Sequence, residues 1–466
     1  MMRLSYYGIT LLLILLSSVL NAQADNNNSP FPLIGIFGTL GNGDGELQHP
    51  CGLAVDEENQ WIYIADTGNN KIKRFNIIIV NNITPPRYVW MYKFEKFDNN
   101  EVIDYLCKME INEVFLSLDV RKINEGNPNY SGTYTAKLQD FINKANTEGI
   151  EVHAMILEDP NFTYESEHQK GIKLVEDVIA YCRTHPEASV KGIHIDTEPH
   201  ALDEWQDGDW DIREILMQSY VLLLSKIRDT LDDNTDVNIH FSAAIAWWYN
   251  ERAEEGKLPS GDTSNLAKYL HTVVPMVYVS PDVIISRVED EIEEADTIVG
   301  IKVKDFFNFY KELKDTMVKI DKEFESKTHY KGISVFEYKT MKELYLLPTI
   351  TIFTDKPQYY TNDILTITVH VTNRDNDINV DVKVWLKLPT DKLISLINMY
   401  NYTLKQGIDF EVDIFKHTFV GSEPHGVYLG GSRFLNPVTG DIKSEDFTSF
   451  EFLGSPKLFP PCTDFQ

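Results

Sequence analysis

Between Pro85 and Leu347 the chain alternates strand-like and helix-like windows eight times, and this repetition limits its fold more than any other feature. The strand windows are RYVWMYKF, EVFLSLDV, EVHAMILE, VKGIHIDTE, VNIHFSAAIA, VVPMVYVS, DTIVGIKV and YKGISVFEY. Between them lie segments such as AKLQDFINKANTEG, GIKLVEDVIAYCRTH and EILMQSYVLLLSKIRDTL, whose apolar residues recur at three- and four-residue spacing. Strands that alternate with helices imply a parallel sheet covered by helices. Eight such units in about 260 residues match a closed (β/α)8 barrel, the TIM barrel. An open doubly wound sheet is the competing architecture, but no glycine-rich phosphate loop follows the first strand to support it.

The flanks of this region read differently. Arg3, the apolar run Ile9–Val19 and the small-x-small pattern Ala22-Gln23-Ala24 form an export signal over residues 1–24. The expected location is therefore secreted, cell-surface or periplasmic, with an uncleaved N-terminal anchor as the alternative. The apolar run is short for a membrane span, and no later segment reads as one, so no transmembrane segment is expected after signal cleavage. Residues 31–76 hold the short alternating strands GLAVD, WIYIAD and KIKRF between Gly- and Asn-rich turns, which predicts a small antiparallel sheet. From 348 to 466 strands follow one another without helices, the pattern of an antiparallel β-sandwich.

Composition narrows the partners. A net charge of -28 argues against nucleic acid, because phosphate binding draws on clustered Lys and Arg. Cys51, Cys107, Cys182 and Cys462 are too scattered for a disulfide framework, and none stands at C-x-x-C spacing. The histidines lack ligand spacing, including the step from Glu198 to His200, so neither metal nor cofactor is expected. The acidic run at 289–294 reads as a solvated helix face.

In a β/α barrel the working residues sit at the C-terminal ends of the strands. Along the fourth strand window Ile193 and Ile195 belong under the helices, so His194, Asp196 and Glu198 point into the barrel. Asp196 and Glu198 lie nearest the mouth, with α-carbons ~6.5–7 Å apart by strand rise. A purely structural pairing of His194 with Asp196 is the plain alternative, since buried carboxylates need partners. Aromatic residues gather at the same end: Trp205 and Trp210 after the fourth strand, Trp247, Trp248 and Tyr249 after the fifth, and Trp90 and Tyr92 on the first. Flat rings stack on sugar faces, so the cluster suits a glycan cleft, although such rings also cap barrel cores. His240 and Ser242 share one face of the fifth strand, where a pocket-lining role and a structural polar contact are equally open.

Two stretches resemble known families. HPCGLAVD followed by IYIADTGNNKIKRF resembles a single NHL repeat, the blade of a family of β-propellers, and the resemblance implies a protein partner through this segment. One repeat cannot close a propeller ring. KGIHIDTE resembles the D-G-x-D-x-D-x-E signature of the family-eighteen glycoside hydrolases, the chitinases and endo-β-N-acetylglucosaminidases. Gly192, Asp196 and Glu198 match it, while Lys191 and His194 replace the first two aspartates. Met276-Val277-Tyr278 resembles the family's M-x-Y-D with Val279 in place of aspartate, and Phe336 stands near its last-strand tryptophan. The resemblance implies a polysaccharide or glycan substrate, Glu198 as general acid, Asp196 orienting an N-acetyl group whose carbonyl attacks the anomeric carbon, and Tyr278 bonded to that group. An ordinary two-carboxylate mechanism would pair Glu198 with Glu337, Asp159 or Asp119. A non-catalytic glycan-binding or surface-interaction protein on an altered barrel is the reading from another class.

Overall fold

The computed structural model describes residues 85–455 apart from Asp305, together with segments 39–40, 46–47, 50–56, 61–66 and 69–76. The export signal read over residues 1–24 and Cys462 lie outside the described residues. Among the described residues no helix is long and apolar enough to cross a membrane.

Eight parallel strands close into a barrel in chain order, the eighth hydrogen-bonded to the first. They are Arg87–Met91, Glu113–Ser117, Glu151–Ile156, Gly192–Ile195, His240–Ala246, Thr272–Met276, Thr297–Lys302 and Tyr330–Phe336. Each is buried on both faces, which is why its sequence is a near-continuous apolar run. Val89, Val114, Ile193, Val299 and Val335 face outward into a large core shared with the helices. Tyr88, Trp90, Phe115, Met155, Val274 and Ile298 face inward and fill the barrel as a separate cluster. The helices are anchored by local chemistry. Ser131 caps Gly132–Thr147 by accepting from the Tyr134 amide, and Asp209 caps Trp210–Asp232 by accepting from the Ile212 amide. The latter helix buries Leu216, Tyr220, Leu223, Leu224 and Ile227 along one stripe, each large side chain contributing roughly 1.5–3 kcal/mol.

The seam between strands eight and one is fastened by charge. Arg87 donates through Nη1 to Asp321 Oδ1 at 3.1 Å and through Nη2 to Oδ2, and Tyr330 donates its hydroxyl to Oδ1 at 2.6 Å. Asp321 belongs to the helix Tyr310–Phe324, so one buried fork ties the first strand, the last strand and the helix between strands seven and eight. Gly332 lies at the same seam with φ 110°, where a Cβ would collide with the Pro86 carbonyl oxygen.

Beyond the barrel a three-stranded sheet (Thr349–Thr354, Ile364–Asn373, Ile408–Thr418) faces a five-stranded one (Gln358–Tyr359, Ile378–Lys387, Leu393–Leu404, Gly426–Leu435, Ile442–Phe452). Period-two side chains from both, among them Ile350, Ile367, Val369, Val382, Val384, Phe434 and Phe450, make one inner core, as in a sandwich. Arg374 of the sandwich lies over the Tyr345 ring of the last barrel helix, 4.6 Å from its centroid. Separately, Pro50–Asp56, Trp61–Asp66 and Lys71–Asn76 pair as a three-stranded antiparallel sheet in the stretch that resembles an NHL repeat.

Candidate active site

The fourth strand runs in register between the third and fifth, with His194 beside Met155 and Ser242. His194 is fully buried, its ring stacked on Phe115 at 4.0 Å and its Nδ1 2.9 Å from the Ser242 hydroxyl. Burial, with His153 and His240 nearby, pushes its pKa well below the ordinary value, so it stays neutral. Trp90 is 1% exposed and meets His194 edge-on at 5.0 Å. His194 and Trp90 therefore fill the barrel beneath the mouth and offer no free face to a ligand.

Two residues further along, Asp196 forms the floor of the mouth. Its Oδ2 accepts from the Tyr92 hydroxyl at 3.4 Å, while its Oδ1 is buried without a partner. Burial raises its pKa well above the carboxylate range, and the charges of Glu198 and Glu158 add to this against the Tyr92 hydrogen bond. At the end of strand six the Tyr278 hydroxyl is likewise buried and unpartnered, although its ring is half-exposed. Phe336 at the end of strand eight packs on Tyr278 at 5.5 Å and on Tyr92 at 6.0 Å.

Glu198 stands at the lip, its side chain one-third exposed. It bonds His200 Nε2 at 3.0 Å, and His200 Nδ1 lies 2.9 Å from the Tyr249 hydroxyl. A cavity of about 210 Å³ opens beside this chain of contacts, lined by Glu198, His200, Trp247, Trp248, Met276 and Tyr278. The Arg287 guanidinium covers the outer face of Trp247 at 4.7 Å. Trp205 is 3% exposed and packs behind Trp248 and Tyr249, so it supports the wall without lining it. Trp210 is covered by Arg213 and Lys257.

Glu158 is the carboxylate that strand parity does not reveal. After strand three Leu157 takes φ 54°, a left-handed conformation that is uncommon for leucine. Leu157 thereby joins Ile156 in the outer core, and Glu158 turns to the mouth. There Ser117 Oγ donates to its Oε1 at 2.6 Å. The side chain is open to solvent yet has protein on most sides, as befits a group in a concave mouth, and that crowding raises its pKa. Thr197 Oγ1 donates to the Leu157 carbonyl at 2.6 Å and so staples the ends of strands three and four. Thr197→Val would strand this buried acceptor and is expected to lower unfolding stability by about 1–3 kcal/mol in denaturant titration.

Two of the three other carboxylates weighed as partners for Glu198 are engaged elsewhere. Asp159 caps the turn Pro160–Thr163 by accepting from the Asn161 amide, and Asp119 is held by Arg121 and Lys122. Glu337 is the residue preceding the helix Tyr338–Leu346. At the opposite end of the barrel Glu113, Glu151 and His153 come together, and His240 faces Thr272 at 2.9 Å. Those acceptors are already used: Glu113 meets His153 Nε2 at 2.7 Å, and Glu151 meets Lys191 at 2.9 Å.

No family model matches the sequence, and no curated protein is similar to it. Among solved structures, a GH18 chitinase from Pseudoalteromonas aurantia is similar at 14% identity and TM-score 0.41, over 56% of this chain and 98% of that one. The PgaB glycoside hydrolase domain from Bordetella bronchiseptica is similar at 11% identity and TM-score 0.37, over 56% and 95%. A CARDB domain from Pyrococcus furiosus matches at 15% identity and TM-score 0.18, over 23% and 87%. At these identities and scores no residue role is carried across.

Proposed function

We propose that the chain is an exported glycoside hydrolase that cleaves a glycan bearing N-acetylated sugars, with Glu198 as general acid. The observation that carries this reading is the pair of buried, unpartnered atoms beside Glu198: the Asp196 carboxylate oxygen and the Tyr278 hydroxyl. Buried polar atoms are usually paired, and the polar groups of a ligand in the mouth would satisfy these two. An acetamido group supplies the complement, its N–H to Asp196 and its carbonyl oxygen to Tyr278. The same carbonyl would attack the anomeric carbon while Glu198 protonates the leaving oxygen, the substrate-assisted exception to the two-carboxylate scheme. Tyr92 and Phe336 would floor the sugar site, and Trp247 and Trp248 would flank it.

The test is release of reducing ends from a panel of N-acetylated and plain β-glycans, run beside Glu198→Gln. Cleavage confined to N-acetylated substrates and lost in the variant supports the proposal. Cleavage of plain glycans would replace substrate assistance with a two-carboxylate mechanism.

One observation favours a second reading. Glu198 is already engaged by His200 Nε2 at 3.0 Å, which turns its carboxyl toward a protein partner instead of a leaving oxygen. A glycan-binding barrel without turnover would retain the same glycans on an affinity column and release no reducing ends.

A further inference from the structure

The His200 contact takes one oxygen of Glu198, Oε2, and among the described residues no protein group meets Oε1. Glu198 itself lines the cavity. His200 is set by its backbone. It sits in the turn Pro199–Ala201, which the Ala201 amide closes on the Glu198 carbonyl at 2.9 Å, and Gln206 Nε2 donates to the His200 carbonyl at 2.6 Å. Its ring meets Trp248 edge-on at 5.7 Å. Behind it Tyr249, 1% exposed, opens the helix Tyr249–Glu254 after strand five and packs on Trp248 at 4.8 Å and on Trp205 at 6.0 Å. Burial raises the pKa of Tyr249 well above the ordinary phenol value, so the hydroxyl keeps its hydrogen. That buried hydrogen needs an acceptor, and His200 Nδ1 at 2.9 Å is the partner it has. If Nδ1 carried the ring proton instead, the phenol hydrogen would be left without an acceptor. The neutral ring therefore bears its proton on Nε2, toward Glu198, because the bond made at one imidazole nitrogen settles the state of the other.

We propose that Tyr249 and His200 are positioning residues that hold the acidic proton of Glu198 on Oε1: the Tyr249 hydroxyl donates to His200 Nδ1, and His200 Nε2–H donates to Glu198 Oε2. This role rests on the glycoside hydrolase reading. With Oε2 occupied as an acceptor, a proton on the carboxyl goes to Oε1. In turnover that proton passes from Oε1 to the glycosidic oxygen. The bond from that oxygen to the anomeric carbon breaks with its electron pair going to oxygen, while the acetamido carbonyl oxygen bonds to the carbon. The carboxylate left on Glu198 then receives a stronger bond from Nε2–H, so the donor favours the transition state over the ground state.

The first measurement is long-range proton–nitrogen correlation NMR of the full chain carrying 15N-labelled histidine, at mildly alkaline pH, where imidazoles are neutral. The signals that vanish in His200→Gln identify the ring. The wild-type protein is expected to show His200 with its proton on Nε2. Tyr249→Phe keeps the aromatic ring and its packing, and is expected to move the Nδ1 resonance to that of an unbonded nitrogen. The second measurement is kcat/KM on an N-acetylated oligosaccharide and on an aryl glycoside of the same sugar with a good leaving group. Tyr249→Phe is expected to lose about 10- to 100-fold on the oligosaccharide and much less on the aryl glycoside, which needs little proton donation. His200→Gln is expected to follow the same order. A proton on Nδ1 in the wild type, or an Nδ1 resonance unmoved in Tyr249→Phe, overturns the proposal. So do equal losses on the two substrates, which are what a purely structural role gives. A wild type that cleaves neither substrate ends the hydrolase reading and this role with it; the hydrogen-bond chain then stands or falls on the resonances alone.

Discussion

Glu198→Gln is expected to reduce glycan hydrolysis by about 10²- to 10⁴-fold, the range that a positioned proton donor contributes. Glutamine preserves the size of the side chain and its contact with His200 but has no proton to give. Affinity for the substrate should change little, because Asp196, Tyr278 and the aromatic walls remain in place. Initial rates and equilibrium binding on the same oligosaccharide check both halves. A loss below tenfold would remove Glu198 from the role of acid. A comparable loss in binding would make it a ligand contact.

The second large effect concerns stability. Asp321→Ala is expected to lower unfolding free energy by about 3–5 kcal/mol, since it leaves the Arg87 guanidinium buried without its counter-charge. Arg87 is 6% exposed, and it keeps only the Pro85 carbonyl at 3.1 Å after the change. The double variant Arg87→Met with Asp321→Leu is expected to recover most of the loss, because burying neither charge costs less than burying one. Guanidinium unfolding of the three proteins measures this. Additive losses in the double variant would show that the two side chains act independently of one another.

The barrel could be read before its coordinates because its strands have little freedom in composition. A strand covered by helices outside and packed side chains inside stays apolar through its length, and the helical segments between carry an unmistakable stripe. Seven of the eight strands fall within the windows read from sequence, and the sixth starts one residue before its window, at Thr272. Parity along strand four also placed Asp196 and Glu198, because the backbone there stays extended up to the mouth. Depth was not legible. Trp90 and Tyr92 share one strand face, yet Trp90 sits sealed below while Tyr92 reaches Asp196.

Glu158 was hidden for a stricter reason. Parity assumes uniform strand geometry, and nothing in a leucine announces a left-handed turn. One cue was available. Asp159-Pro160-Asn161 has the form of a cap followed by proline at the first helical position, which reserves Asp159 for its own backbone and leaves its neighbour for the site. His200 was weighed only as a metal ligand beside Glu198; its contact with that carboxylate comes from the short helical turn that Pro199 opens, which strand spacing does not describe. The Arg87–Asp321 fork joins residues 234 positions apart, a distance at which a single sequence carries no trace of partnership.

That separation also has a history in time. A ribosome adds about 5–20 residues per second, so Arg87 emerges some 10–50 s before the aspartate that neutralises it. Through that interval strand one has a pairing edge open to any neighbouring nascent chain, and a cation at its base with nothing to hold. The finished barrel has no such edge. Its hazard of misassembly therefore belongs to biosynthesis, and ribosome spacing on the message, more than the temperature of the mature protein, should govern how much of it is made correctly.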